Sequence, residues 1–123
     1  MKATPQSRRR SEAAGRRAEW LAAFLMMAKG FSIVRRRFKA PNGEIDLIAK
    51  RGKLLVFVEV KSRAQLDSAI EAVTHTNRRR VSNAAGMFLA HNPDLAQMDM
   101  RYDIIAIAGW RMRHLTNAWQ DDF

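Results

Sequence analysis

Two carboxylates and one ammonium group stand close together in a strand-forming stretch of the chain. The stretch covers residues 43–63, GEIDLIAKRGKLLVFVEVKSR, and the ionisable candidates in it are Asp46, Glu59 and Lys61. Side chains alternate between the two faces of a strand, so Glu59 and Lys61 share a face. A tight turn at Arg51-Gly52 would place Asp46 on that same face, diagonal to Glu59.

These three side chains have the chemistry of a divalent-metal site. Two carboxylates held this close repel, and a cation between them removes the repulsion. Oxygen ligands favour Mg²⁺ or Mn²⁺ over zinc, and such an ion keeps waters that can attack a phosphate ester. Lys61 is placed to orient or deprotonate a water and to meet developing negative charge. The alternative is that all three are ordinary solvated side chains at a strand end.

The hairpin register follows from the predicted turn. It sets Lys50 opposite Lys53, Asp46 opposite Phe57 and Glu44 opposite Glu59. The face away from the carboxylates is then expected to be core, and it carries Ile45, Leu47, Val56, Val58 and Val60. Because Ile48, Leu55 and Phe57 share the carboxylates' face, a helix is expected to cover part of that face as well.

The remaining patterns supply the elements that must hold this hairpin. Helical periodicity runs over residues 11–28 and again around residues 81–89, and the stops are Gly30 and Asn92-Pro93. Strand patterns cover residues 31–38, 44–49, 53–61 and 102–108, with a further short one at 110–115, and residues 64–76 read as a loop with one short helical turn. The predicted fold is a mixed α/β layer domain with a helix, a three-strand meander, a helix and one or two further strands.

Composition and charge limit the class of protein. The 123 residues suit one domain, predicted over residues 11–123 and preceded by a flexible basic arm over residues 1–10. The absence of cysteine excludes a disulfide framework and a thiolate metal site. With no signal-peptide core and no apolar run long enough to cross a bilayer, the chain is expected to be cytoplasmic, with no membrane partner.

The strong positive charge predicts a polyanionic partner. Lys and Arg number 22 against 12 Asp and Glu, which leaves a net charge of +10. Arg dominates, and clusters at residues 8–10, 35–37 and 78–80 favour nucleic acid, DNA above all. Solubility, or an acidic protein partner, would also account for the charge. The histidines, His75, His91 and His114, show no ligand spacing and are interpreted as surface or capping residues.

The motifs GEIDLI and VFVEVKSR, together with Gly15, Glu19 and the RYD at residues 101–103, are similar to those of the UPF0102 family, also called YraN. An acidic residue, a turn and then Glu-x-Lys also resemble the PD-(D/E)xK, or restriction-endonuclease-like, superfamily. The resemblance implies an αβββαβ core like that of Holliday-junction resolvases. It further implies Asp46 and Glu59 as metal ligands, the Val60 carbonyl as a third, Lys61 as the catalytic lysine and Glu19 as a helix glutamate aimed at the site.

Two positions depart from the family pattern. Ile45 replaces the proline of the superfamily motif, a common change, and Asn77 stands where the family usually has lysine. Asn77 is expected to lie on the buried side of the second helix, where it could hold a phosphate or a water but supplies no charge. Arg78 is the nearest cation that could compensate, although a helix turns it by about 100° from Asn77. The residues expected to contact nucleic acid are Arg8, Arg9, Arg10, Arg36, Arg63, Asn77, Arg78 and Arg79.

The leading hypothesis is therefore an endonuclease that uses Mg²⁺ or Mn²⁺ to hydrolyse DNA phosphodiesters. The alternative is a nucleic-acid-binding module of the same fold with weak or no catalysis, which Asn77 favours. Pairing of two copies as a homodimer, to cut two strands, is left open by the sequence.

Overall fold

A computed structural model describes residues 5–121 of the chain, with side chains from residue 12 onward. The elements in chain order are α1 (Pro5–Ala28), β1 (Ser32–Ala40), β2 (Gly43–Arg51), β3 (Leu54–Ser62), α2 (Leu66–Glu71), α3 (His75–His91), the 3₁₀ turn Pro93–Leu95, β4 (Asp99–Ala108) and β5 (Arg111–Trp119). This order confirms the predicted layout of helix, three-strand meander, helix and two further strands. The predicted loop before α3 contains a six-residue helix, α2.

The five strands form one sheet in the order β1-β2-β3-β4-β5. Only the β3–β4 pair is parallel among the strand pairs of the described residues. Apolar side chains cover both faces. One core cluster joins the sheet to α1, and the other joins it to α3. The sheet is thus the middle of three layers, and the hairpin β2–β3 lies between helices on both sides.

Helix α1 packs on the sheet through three alanines and one methionine. Ala18, Ala22, Ala23 and Met26 are all buried. The helix begins at Pro5, earlier than the predicted start at residue 11, and proline is favoured at a first helical position because its missing N–H needs no partner there. Gly30 ends it with φ +89, as predicted, and the Phe31 N–H donates to the Met26 carbonyl. Within the described residues, no helix has both the length and the apolarity needed to span a bilayer.

The β2–β3 register differs from the predicted one. Arg51 pairs with Leu54 and Ile48 with Phe57, so the turn is Gly52-Lys53 rather than Arg51-Gly52. Gly52 has φ +59, and a two-residue turn of type II′ needs glycine at its first central position. Moving the turn by one residue shifts each opposed pair by two, which preserves the faces. The ladder therefore pairs Leu47 with Val58, the residues next to Asp46 and Glu59.

Helix α3 contacts the beginning of β2 at very short range. A Cβ added to Gly43 would lie 1.8 Å from the Arg80 carbonyl oxygen, so this crossing accepts glycine alone without movement of the helix. α3 ends at His91, before Pro93, as predicted. The contact fixes the N-terminal half of α3 beside the end of the sheet where β3 finishes.

The candidate carboxylate site

The strands β2 and β3 stop pairing where the two carboxylates meet. Their paired register ends at Leu47 and Val58, one position before Asp46 and Glu59. Beyond it the Asp46 Oδ2 accepts a hydrogen bond from the Val60 N–H at 2.8 Å. In a continued antiparallel ladder that N–H would donate to a β2 carbonyl. The Asp46 side chain takes the place of the backbone, and the two strands separate around it.

The neighbouring strand β1 is irregular at the same level. Arg37, which lies between the pairs Arg36–Leu47 and Phe38–Ile45, has φ +54, an uncommon value for a residue with a side chain. Ile45 packs in the cluster of Phe38 whereas Leu47 packs in the cluster of α1. The prediction that Ile45 and Leu47 share one face is therefore wrong, because the alternation of side chains breaks at Asp46.

Burial shifts the protonation of both carboxyl groups. Glu59 is 7% exposed. Its burial, followed by the nearby Asp46 charge, raises its pKa to about 9, against a smaller opposing effect of Lys61. The pKa of Asp46 is also raised, mainly by burial, although the Val60 N–H opposes this. At neutral pH the pair therefore keeps a proton unless a cation takes its place.

Lys61 and two clefts make the pair accessible. The Lys61 Nζ lies 3.7 Å from Glu59 Oε1, and the side chain is 24% exposed. Lys61 and Arg63 on one wall and Gly15 and Glu19 on the other line a cleft of about 420 Å³. A second cleft of about 210 Å³ reaches Asp46 beside Glu19. The smaller cleft is lined by Asp46 itself, whereas the larger one is lined by Val60 and Lys61, the residues that follow Glu59.

Glu19 lies at the edge of the site. Its Oε2 accepts a hydrogen bond from Arg37 Nε at 2.6 Å, and its charge contributes to the raised pKa of Asp46. Over the side chains that the structure describes, no three His, Cys, Asp or Glu groups come together as a ligand cluster. The acidic pair is thus Asp46 and Glu59, with Glu19 held by Arg37 at its side.

The predicted nucleic-acid residues fall into separate places. Arg63 is exposed in the larger cleft, with its guanidinium on the Ser62 carbonyl. Arg36 lies over the Trp20 ring at 4.0 Å. Arg78 and Arg79 are on α3, and Arg78 Nε is buried with no hydrogen-bond partner in the described part of the chain. The side chains of residues 8–10 lie outside the described ones.

Asn77 has a local role that was not predicted. It is the third residue of α3, and its Oδ1 accepts from the Thr74 N–H at 3.3 Å and from the Thr74 hydroxyl at 3.1 Å. The Asn77 N–H donates back to Thr74 Oγ1, which completes a capping box. The spacing of Thr74 and Asn77 was the available signal, although Asn in place of Glu or Gln made it weak.

A second polar cluster was missed by sequence reasoning. Asp103 is fully buried in β4. It accepts two bonds from Arg101 at 2.8 and 2.9 Å, one from the Asn117 N–H at 2.9 Å, and lies 2.6 Å from His114 Nε2. Burial alone would raise the pKa of Asp103, but these partners together hold it below its ordinary value. His114 is buried rather than on the surface, and the signal was an aspartate inside an apolar strand.

Comparison with known proteins places these residues in a sequence family. Residues 18–107 match the model described as "Uncharacterised protein family UPF0102". A UPF0102 protein of Chelativorans sp. (strain BNC1) is 50% identical over 82% of each chain. Others come from Paramagnetospirillum magneticum, 44% identical over 99% of this chain and 100% of that one, and Bartonella bacilliformis, 49% identical over 89% of each.

Proposed function

We propose that this protein, which belongs to the UPF0102 family, is a metal-dependent endonuclease that hydrolyses phosphodiesters of DNA. The observation that carries the proposal is the buried pair Asp46–Glu59 with Lys61 beside it, at the point where β2 and β3 separate. The αβββαβ order supports the finer assignment to the PD-(D/E)xK superfamily, which is part of the same proposal.

The donor set fits Mg²⁺ or Mn²⁺. The Asp46 and Glu59 carboxylates, with the Val60 carbonyl, would hold the ion, because Mg²⁺ is commonly bound by one or two carboxylates, waters and substrate phosphates. The raised pKa of Glu59 supports this, since a buried acidic pair is costly without a cation. When bound, the ion would neutralise phosphate charge and make a coordinated water more acidic.

The remaining chemistry belongs to side chains of the chain itself. Lys61, which lines the larger cleft, orients the attacking water and stabilises charge that develops on the phosphate. Arg63 contacts a flanking phosphate at the mouth of the same cleft. Glu19, paired with Arg37, fixes the edge of the site and keeps that guanidinium beside Asp46.

One observation favours the second hypothesis, a nucleic-acid-binding module with weak or no catalysis. The Asn77 Oδ1 and backbone N–H are engaged in capping α3 with Thr74, and a side-chain amide carries no charge, so Asn77 supplies no cation. Arg78 extends over the Trp119 ring at 5.8 Å instead of replacing that cation. Binding without turnover would then rest on the arginines alone.

A cleavage assay separates the two hypotheses. Plasmid, single strands and a four-way junction are incubated with Mg²⁺ or Mn²⁺ and with the protein or its variants. Lys61→Ala and Asp46→Asn are each expected to lower the cutting rate by about 100-fold or more. The matched controls are Lys53→Ala, at the hairpin turn, and Asp67→Asn, whose carboxylate is 83% exposed and pairs with Arg113.

The outcomes differ clearly. Cutting that is lost in both site variants and kept in both controls supports the endonuclease. Cutting that survives in Lys61→Ala and Asp46→Asn comes from a contaminant and contradicts it. No cutting at all, with binding that weakens steeply as salt rises, supports the binding module, because counterion release sets that dependence.

A further inference from the structure

Two aromatic side chains lie exposed on the outer side of α1. Trp20 is 47% and Phe24 58% exposed, and their ring centroids are 6.0 Å apart with 30° between the planes. The side of α1 that faces the sheet carries Ala18 and Ala22, so the aromatic pair adds nothing to the core. Exposed aromatic surface of this kind marks a contact surface.

Cationic side chains connect this pair to the carboxylate site. The Arg36 guanidinium lies 4.0 Å from the Trp20 ring centroid. The next residue of β1, Arg37, bonds to the residue before Trp20, which is Glu19. Glu19 and Arg37 line the smaller cleft together with Asp46. Trp20 on α1 and Arg36 on β1 are therefore each one residue away from a side chain that lines this cleft.

We infer that Trp20, Phe24 and Arg36 form a stacking platform for unpaired nucleobases, an inference that rests on the proposed function. Bases stack on aromatic rings and on guanidinium planes, and they do so with little regard for sequence. In an intact duplex the base faces are covered by their neighbours. The substrate class that this geometry selects is DNA with a single-stranded segment or an unpaired base next to the phosphate that is cut.

A second copy of the chain is the competing occupant of the same surface. Met27 and Val34 are 43% and 38% exposed and extend the apolar area beyond Trp20. A two-fold contact, however, would bring the arginines at residues 35–37 of each copy toward those of the other. On a chain of net charge +10 that contact is repulsive, whereas the same arginines attract phosphates. The charges therefore favour nucleic acid.

Binding of two matched strands tests the inference. A dye-labelled single strand and an abasic strand of equal length are titrated with the protein in EDTA, which prevents metal-dependent cutting, and fluorescence anisotropy gives Kd. Trp20→Leu keeps apolar bulk but removes the π-face. It is expected to weaken binding of the base-bearing strand by about 5- to 150-fold, the range of one lost stacked base, and of the abasic strand by less than about 2-fold.

Two further variants serve as controls, one for the aromatic ring and one for exposed apolar surface elsewhere. Trp20→Phe keeps a ring and is expected to retain most of the affinity. Met100→Leu changes another exposed apolar side chain, which is 49% exposed. Met100 lies at the start of β4 and pairs with Leu55, away from Glu59 along the parallel β3–β4 pair. It is expected to change neither Kd.

Three results would overturn the inference. These are an unchanged Kd in Trp20→Leu, an equal loss on the abasic strand, and a wild-type dimer that becomes a monomer in Trp20→Leu without loss of single-strand affinity. Sedimentation velocity measures the last. Failure of the proposed function shows separately: Trp20-dependent binding without Lys61-dependent cutting supports the platform and removes the nuclease. Cutting without Trp20-dependent binding does the reverse.

Discussion

The substitution Glu59→Gln is expected to stabilise the fold while it removes activity. Glu59 has an ordinary pKa of 4.5 and a folded-state pKa of about 9, so over that range the folded chain keeps a proton that the unfolded chain has lost. Folding stability then falls with rising pH by roughly 1.4 kcal/mol per unit for this one group. At neutral pH the penalty is about 3 kcal/mol, an upper limit because Asp46 shares the proton. Gln cannot ionise, so the variant escapes the penalty.

The sign of this effect can be checked against pH. Below pH 4.5 the folded and unfolded states both carry the proton, so wild type and variant should differ least in their free energies of unfolding. The difference between the two free energies should widen up to about pH 9 and stay constant above it. Urea unfolding at pH 5, 6, 7 and 8 in EDTA measures this difference. Glu71→Gln, which changes an exposed carboxylate at the end of α2, is the control and should follow wild type.

Metal provides the second half of the same test. Mg²⁺ or Mn²⁺ that binds the folded wild type should raise its unfolding midpoint, and should leave Glu59→Gln nearly unchanged. Equal pH slopes for wild type and Glu59→Gln would refute the reasoning that Glu59 is a costly buried acid. The cleavage assay should show the variant inactive even where it is the more stable protein.

Four other substitutions probe glycine positions and the second polar cluster. Gly43→Ala places a Cβ 1.8 Å from the Arg80 carbonyl oxygen and should lower the free energy of unfolding by about 3 kcal/mol or more. Gly86→Ala, where an added Cβ meets nothing within 4 Å, should raise the free energy of unfolding by up to about 1 kcal/mol. Urea unfolding measures both changes. In Gly15→Ala the added Cβ also meets nothing within 4 Å, so the midpoint of thermal unfolding should rise. The new methyl group narrows the larger cleft and should slow DNA cutting. A lower midpoint or an unchanged cutting rate would contradict this. Asp103→Asn should lower the free energy of unfolding by about 3–5 kcal/mol at pH 7. Because the folded pKa of Asp103 is below its ordinary 3.8, the difference in stability from wild type should narrow as pH falls below that value. A difference that is constant with pH would argue against a charged Asp103.

The faces of the hairpin could be predicted from the sequence because they depend only on parity. Ile48, Leu55 and Phe57 share a side as predicted, since a shift of the turn by one residue changes opposed pairs by two. Parity holds only as far as Leu47, because the alternation breaks at Asp46. The exact register could not be predicted as easily, because it depends on which residue of the turn adopts a positive φ. Gly52 does so at the first central position, and this sets Leu47 opposite Val58, one position before Asp46 and Glu59.

Features that depend on contacts between distant segments were not visible in the sequence. The side-chain alternation of β2 breaks next to Ile45, where Arg37 of the neighbouring strand has a positive φ. Neither an isoleucine nor an arginine is a residue type that predicts such a break. The burial of Asp103 depends on His114, which is eleven residues away along the chain and on another strand. Periodicity describes one element at a time, so it places helices and strands but not the polar partners that they exchange.

The end of the β2–β3 ladder brings both kinds of information together. A regular ladder would satisfy the Val60 N–H with backbone and leave the Asp46 carboxylate pointing to one face. Here the carboxylate itself accepts that N–H at 2.8 Å, so its second oxygen and the Glu59 carboxylate are held at the gap between two separating strands. The hydrogen bond to the backbone thus restricts the Asp46 side chain. Burial between α1 and α3 makes ionisation of both carboxyl groups unfavourable. A rigid, buried, oxygen-rich pair gains most from a divalent cation. Asp46→Asn removes the negative charge but keeps an oxygen that can accept the Val60 N–H, so it should harm metal binding more than it harms the fold.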